Sequence, residues 1–363
     1  MTPRLFLSCL SLFVLSACTA PKADFRLGMA GPFEEAFGVA NRQGAELAVA
    51  EINAAGGIGG RLLTIDFQDD KGEGSRAATI AQAFVDDATI SAVVGHVTSG
   101  AMVAAAKIYD GHLAAVSTTA SSPDLTGISP WAFRLISSDS ANGVDLARFA
   151  ERLGKRRAAI LYENDNYGRG LAENFRSNFK GEVISFDPID AEGSHADVYI
   201  AWFLVHRPDL VFVAGTERSG IALLREAQKQ GLTAEFLGGD GWTGVVIEPA
   251  IAEGALVGAP FTALDPRPEA RRFVDAFRAK YNAEPDGNAA LAYDAVYLLS
   301  NAMDEVGADR AKIRDWVASR TGDLALAGVT GSIAFLSSGD PVNKSFVMTR
   351  VRAGRLAIAE ESR

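Results

Sequence analysis

Residues 90–124 read ISAVVGHVTSGAMVAAAKIYDGHLAAVSTTASSPD. Two short apolar runs of strand length, Ile90 to Gly95 and Leu113 to Ser117, each end in a hydroxyl-rich turn, and an amphipathic segment, Gly100 to Tyr109, lies between them. A helix between two strands is the crossover that parallel pairing requires, so this stretch reads as a strand–helix–strand unit of a parallel sheet. The same alternation continues on both sides. Phe25 to Ala30, Leu62 to Phe67 and Ala132 to Ile136 read as strands, with helices over Gly38 to Ala55 and Ser75 to Asp87. The first helix carries Ala45, Ala48, Val49 and Ile52 at helical spacing, and it stops at Gly56 and Gly57, which accept the left-handed cap.

A second series follows Ser137-Ser138-Asp139-Ser140. Its strands are Ala158 to Tyr162, Val183 to Phe186, Leu210 to Ala214 and Glu235 to Leu237, with helices near 169–180, 196–206 and 217–230. Helices then dominate from Glu269 to Tyr281 and from Ala289 to Val306, and the chain closes with strands at Ser332 to Leu336 and Ser345 to Val351. Three stretches rich in turn residues, Ser137 to Asn142, Thr262 to Pro268 and Ser337 to Pro341, suit crossings between two bodies. The expected fold class is α/β: two doubly wound three-layer α/β/α lobes joined by a three-stranded hinge. Lobe 1 is expected to comprise residues 25–139 and 262–336, and lobe 2 residues 140–261 and 337–363. A cleft between them would face the carboxyl ends of the strands, where open α/β sheets bind ligands.

The termini and composition set the compartment. Arg4 precedes an apolar run, Leu5 to Val14, that is too short to span a bilayer and ends in Leu15-Ser16-Ala17-Cys18. This reads as a signal peptide, and its end resembles the bacterial lipobox, in which the cysteine becomes the acylated first residue. Cys18 is therefore the expected lipidation site, residues 18–24 a tether, and the expected location the periplasm, anchored to the envelope by lipid alone. The only cysteines are Cys9 and Cys18, so the globular part holds neither thiol nor disulfide. Removing the first 17 of 363 residues leaves 346, more than one hydrophobic core usually organises. The formal net charge of −10, without any basic run, argues against a nucleic-acid partner.

Chemistry concentrates at strand ends. His96-Val97-Thr98-Ser99-Gly100 follows one strand, and Thr118-Thr119-Ala120-Ser121-Ser122-Pro123-Asp124 follows the next. Serine before proline reads as an N-cap with proline at the first helical position, and such turns aim free N–H groups and a helix dipole at an anion. With no lysine or arginine beside these turns, a single carboxylate suits them better than a phosphate. On the other lobe Gly238-Gly239-Asp240-Gly241-Trp242 follows a strand and sets one carboxylate at the cleft, as an α-amino acid's ammonium requires. Phe37, Tyr167 and Tyr293 are candidate aromatic walls. Tyr167 lies in the polar turn Asn164-Asp165-Asn166-Tyr167-Gly168, whereas Tyr293 sits on an apolar helix and reads as core.

Several chemistries find no support. Gly56 to Gly60 follows a helix and precedes a strand, the reverse of a dinucleotide fingerprint, and Gly215 to Gly220 is followed by Ile221 and Ala222 where a phosphate loop needs lysine and a hydroxyl. His96, His112, His195 and His206 form no metal-ligand spacing. No Gly-x-Ser-x-Gly elbow surrounds Ser99, so a His96–Ser99 pair is not a hydrolase signature. No enzyme activity, cofactor or metal is expected.

Taken in order, Gly31-Pro32, Gly44-Ala45-Glu46, Ile52-Asn53 with Gly56-Gly57-Ile58, Gln68-Asp69-Asp70, Gly95-His96 leading to Ser99, Ser121 to Thr126, Tyr167-Gly168 with Gly170, and Gly238 to Gly241 resemble the type I periplasmic binding proteins of leucine, isoleucine and valine import systems. The resemblance implies that Ser99 and Ser121, with Thr119 and Ala120 beside them, hold a ligand carboxylate, that Asp240 takes an ammonium, and that Phe37 and Tyr167 line the cleft. Phe37 and Thr216 stand where that family has tyrosines, Asp240 where it has a glutamate, and Asn288 where it has an aromatic against the ligand's side chain. The head-group site looks retained, while a purely aliphatic pocket does not follow. The expected role is the substrate-binding component of an ABC importer for an amino acid, branched-chain or a related small amide or acid. It would be a monomer working with permease subunits. The competing expectation is a lipid-anchored adaptor of the same fold that contacts an envelope partner.

Overall fold

The computed structural model describes residues 24–359, so the expected signal peptide, the expected lipidation site Cys18 and most of the expected tether lie outside the described residues. The first sheet contains β1 (Phe25–Gly31), β2 (Leu63–Asp69), β3 (Ile90–Gly95), β4 (Ala115–Ser117) and β5 (Ala132–Arg134), wholly parallel in the order β2-β1-β3-β4-β5. Its first three helices are α1 (Ala36–Ala54), α2 (Gly74–Asp86) and α3 (Ser99–Tyr109). The chain then builds the second sheet through α4 (Asp139–Arg152), β6 (Arg157–Glu163), α5 (Asn166–Asn178), β7 (Glu182–Ile189), α6 (Ala196–His206), β8 (Leu210–Ala214), α7 (Glu217–Gln230), β9 (Glu235–Gly238), α8 (Pro249–Ala252) and β10 (Leu256–Ala259). It returns to the first sheet with α9 (Pro268–Tyr281), α10 (Gly287–Val306), α11 (Arg310–Ala318) and a hairpin of β11 (Leu326–Gly328) and β12 (Gly331–Ile333). It ends on the second sheet with β13 (Val347–Arg352) and β14 (Arg355–Ile358), which pair antiparallel.

The second sheet runs β14-β13-β10-β9-β8-β6-β7. Strand order therefore reverses between β1 and β3 in one sheet and between β6 and β8 in the other, and a doubly wound sheet binds at such a reversal. β3, β4 and β8 are buried along their whole length, as strands covered by helices on both faces must be. A Cβ on Gly44 would stand 2.0 Å from the Ala289 carbonyl oxygen, so α1 and α10 pack backbone against backbone.

The alternation read from the sequence matches these elements, with differences at the weakest signals. β10 escapes a pattern reading because Leu-Val-Gly-Ala is four residues long in a glycine- and alanine-rich stretch. The segment opening at Ser137 is less a turn than a helix start: Ser138 caps α4 by accepting from the Ser140 N–H. The strand expected at Ser332 to Leu336 is instead half of the short β11–β12 hairpin, and α11 and β14 carry too little apolar periodicity to be read.

Arg134, at the end of β5, ties the Ser121–Thr126 turn to the 337–341 stretch. It is 2% exposed, donates through Nη1 to the Ser121 and Ser122 carbonyls and through Nη2 to Thr126 Oγ1, and forms an ion pair with Asp340. Arg134→Met strips two buried carbonyls of a donor and the half-buried Asp340 of its ion partner. A loss of about 3 kcal/mol of unfolding free energy is expected in denaturant titration.

Candidate ligand cleft

A cavity of about 290 Å³ lies where the two strand-order reversals face each other. Pro32 and Phe37 reach it beyond β1, Val97, Thr98, Ser99 and Gly100 beyond β3, and Thr119 beyond β4. From the other sheet come Asp165 and Tyr167 beyond β6, Thr216 and Glu217 beyond β8, and Asp240 and Gly241 beyond β9, while Asn288 arrives on the first turn of α10. Contacts join the two sides: Glu35 pairs with Arg218, Asn166 Nδ2 donates to Asp124 Oδ2 at 2.8 Å, and Asn288 Nδ2 donates to Thr243 Oγ1 at 3.3 Å.

Of the residues expected at the site, Phe37, Ser99, Thr119, Tyr167, Thr216 and Asp240 line the cavity. Ala120 and Ser121 do not. Both are 0% exposed and lie behind the wall, because the second hydroxyl-rich turn spends its donors internally. The Ser121 and Ser122 N–H groups donate to Ser99 Oγ at 3.2 and 3.1 Å, and Ser121 Oγ donates to Asp139 Oδ2 at 3.0 Å. Pro123 also opens only a single 3₁₀ turn, Pro123–Leu125, rather than a helix with a useful dipole. The anion side is therefore the N-terminus of α3, where Thr98 holds the cap position without a capping hydrogen bond and its Oγ1 is buried with no partner.

His96 is structural: its Nδ1 meets Asp70 Oδ2 at 2.6 Å and its Nε2 meets the Tyr109 hydroxyl at 3.0 Å, which leaves neither ring nitrogen for Ser99. Tyr293, on α10, is half-buried and donates to Glu51 of α1 rather than facing the cleft. Among the described residues no cluster of histidine, cysteine, aspartate and glutamate could hold a metal, and no helix is long and apolar enough to cross a membrane.

The opposite side is acidic. The Tyr167 hydroxyl donates to Asp240 Oδ1 at 3.0 Å and accepts the Gly241 N–H at 3.0 Å. Burial pushes the Asp240 carboxyl up to about 6, against the opposing pull of the Tyr167 hydrogen bond. Asp139, fully buried, is raised well above the ordinary carboxylate range by burial and then by the Asp240 charge. Glycines here make room for rings rather than for a ligand's approach. A Cβ on Gly238 would lie 2.2 Å from the Trp242 ring, and one on Gly241 would lie 2.5 Å from the Gly215 carbonyl and 3.0 Å from the Tyr167 hydroxyl. Trp242 is accordingly core, 0% exposed. Thr216 presents its backbone and side chain to Glu163, whose Oε1 accepts the Thr216 N–H and Oγ1 at 2.8 Å each and Ser219 Oγ at 2.7 Å. Glu217, beside Thr216, was not singled out by its sequence context, in which it reads as an ordinary acid in a first helical turn. Its place beyond the strand at the order reversal is the signal that points to it.

Two doubly wound sheets with a cavity between their order reversals, apolar over most of its wall and charged at a few points, define a two-lobed binding protein. The chain belongs to the periplasmic binding protein family, whose model matches residues 27–355. It is 30% identical over 311 residues to the Leu/Ile/Val-binding protein of Escherichia coli, covering 83% of this chain and 84% of that one. It is also 30% identical over 327 residues to an amino acid binding protein of Pseudomonas aeruginosa, covering 84% and 85%. The branched-chain amino acid transporter substrate binding protein LivJ of Streptococcus pneumoniae, solved in complex with isoleucine, superposes with a TM-score of 0.85 at 29% identity, covering 92% of this chain and 97% of that one. A family of binding proteins rather than enzymes, located in the periplasm, is what the sequence led one to expect.

Tyr167→Phe removes the hydrogen bond that lowers the Asp240 proton affinity and leaves the Gly241 N–H without its acceptor. The Asp240 carboxyl is expected to titrate above about 6 in a carbon-detected NMR titration. Unfolding stability should drop by about 1 kcal/mol.

Proposed function

We propose that this protein is the substrate-binding component of an ABC importer and holds an amino acid in the closed cleft. The observation that carries the reading is the pairing of opposites across one cavity. Asp240, buried with the Tyr167 hydroxyl, faces the side on which the N-terminus of α3 offers free N–H groups and the unpartnered Thr98 hydroxyl. A carboxylate is favoured at a helix N-terminus, and an ammonium entering a buried site needs a carboxylate partner.

In this reading Ser99 and Thr119 with the α3 amides take the ligand carboxylate, Asp240 and Tyr167 take the ammonium, and Phe37 and Thr216 close the walls. Ala120 and Ser121 support the carboxylate side from behind. The lobes divide at residues 139/140, 261/262 and 336/337, and they close on the ligand about the Arg134-linked crossings. The protein acts as a monomer that hands its ligand to permease subunits. Cys18 carries the lipid that keeps it at the membrane, so Cys18→Ser is expected to move it from the membrane to the soluble envelope fraction. The relatives named above as amino-acid and Leu/Ile/Val-binding proteins support the transport role over an adaptor role.

Thermal-shift screening against the free amino acids tests the class of ligand, since a ligand at a hundred times its dissociation constant adds about 2.7 kcal/mol to stability. A panel without any shift would remove the reading. Asp240→Ala leaves the ammonium unpaired, so calorimetry is expected to show affinity falling about a hundredfold. The pH dependence has a definite sign. The ammonium requires the Asp240 carboxylate, whose proton in the empty cleft leaves at about 6. Below that value binding must expel a proton, and the dissociation constant should rise by about tenfold per pH unit.

A further inference from the structure

Glu217 opens α7 and lines the cavity, yet it is 8% exposed. Among the described residues no other side chain donates to its carboxylate, and only its own backbone N–H does so. Its stem lies against Gly244, where a Cβ would come within 3.1 Å of the Glu217 carboxyl carbon. Burial, followed by the charges of Asp286, Glu35 and Glu163, pushes the carboxyl up to about 7. Two cations among the described residues line the cavity: Arg218 is shared between Glu35 and Glu192, and Lys71 is exposed and stands next to Gly72, which lies against Thr98 at the α3 end. Asn288, standing where the wall would otherwise be aromatic, gives its amide to Asp286 and Thr243, so this end of the cavity is polar.

A zwitterion with an aliphatic side chain satisfies Asp240 and the α3 N-terminus but leaves Glu217 buried beside three like charges. A buried carboxylate without a partner is costly, and a cation supplied by the ligand removes that cost. Resting on the amino-acid reading above, we propose that the ligand bears a second positive charge on its side chain and that Glu217 receives it.

Calorimetry of the intact protein with arginine, lysine, glutamine and leucine tests this. Arginine or lysine is expected to bind at least about tenfold more tightly than leucine or glutamine, and Glu217→Gln to lower that ratio by about tenfold or more. Raising the pH from about 6 to about 8 should favour the cationic ligand over leucine as Glu217 loses its proton, with leucine absorbing the common contribution of Asp240. Leucine or glutamine outbinding both cations, or a ratio unchanged by Glu217→Gln in a protein whose ligand-free unfolding is intact, overturns the proposal while leaving the amino-acid reading in place. Binding of none of the four by a folded protein overturns both. If Glu217→Gln does not fold, the ranking of the four ligands on the unaltered protein decides.

Discussion

Carboxylates from both halves of the molecule gather around one cavity whose lining cations among the described residues are Arg218, shared between Glu35 and Glu192, and the exposed Lys71. Asp240 and Glu217 come from the second sheet, Asp286 and Glu35 from the segments packed on the first, and Asp139 lies at the crossing between them. Like charges brought together out of water raise one another's proton affinity, which is the direction seen at Asp139 and Glu217. Closing the cleft therefore works against electrostatic repulsion unless something positive is enclosed. The Glu35–Arg218 pair offsets part of this at the mouth, but it is half exposed, and such pairs are worth little in water. On the proposed reading the larger compensation comes from the ligand, which makes closure and recognition one event: a positive group both fills the site and removes the repulsion that opposes closing.

How much of this was legible depends on what each residue has to do. Strands buried on both faces announce themselves as short apolar runs, and β1, β3, β6 and β8, which set the positions of the cleft residues, are of this kind. β10 is not, because its Gly258 faces Leu146 and Phe346, where a Cβ would come within 2.8 Å of either side chain, and that crowding forces a residue that weakens the pattern. Asp240, Tyr167 and Ser99 were legible because polar residues directly beyond buried strands have few other reasons to be there. Ser121 lies behind the wall for an instructive reason. A serine-rich turn can aim its donors at a ligand or at its neighbours with the same sequence, and here Ser99 Oγ sits within reach of both the Ser121 and Ser122 amides. Only the distance between two turns from different strands distinguishes the cases.

The glycines of Gly238 to Gly241 show the same ambiguity resolved the other way. Their freedom from Cβ atoms serves the floor of the cavity: Trp242 turns back over Gly238 and Gly220, and the Tyr167 ring lies against Gly239 and Gly241. With Trp242 wholly buried, the loop that carries Asp240 is anchored by a large apolar side chain next to the charge it presents. Asp240 is therefore positioned by packing rather than by an ion pair, which leaves its charge available for a ligand.

That difference between the two sides of the cleft sets what can be discriminated. On the anion side the N-terminus of α3 and a few hydroxyls supply partial charges with the exposed Lys71 nearby, and the second turn reaches the cavity through Thr119 while its Ser121 and Ser122 amides are occupied. Partial charges of this kind accept any carboxylate with similar strength. On the acidic side full charges sit in poorly solvated positions, where adding or omitting one positive group on the ligand changes the balance much more than it does at an exposed site. On the proposed reading, selectivity follows from the positive groups of the ligand, and the walls at Phe37 and Val97 adjust fit within the class that those charges admit.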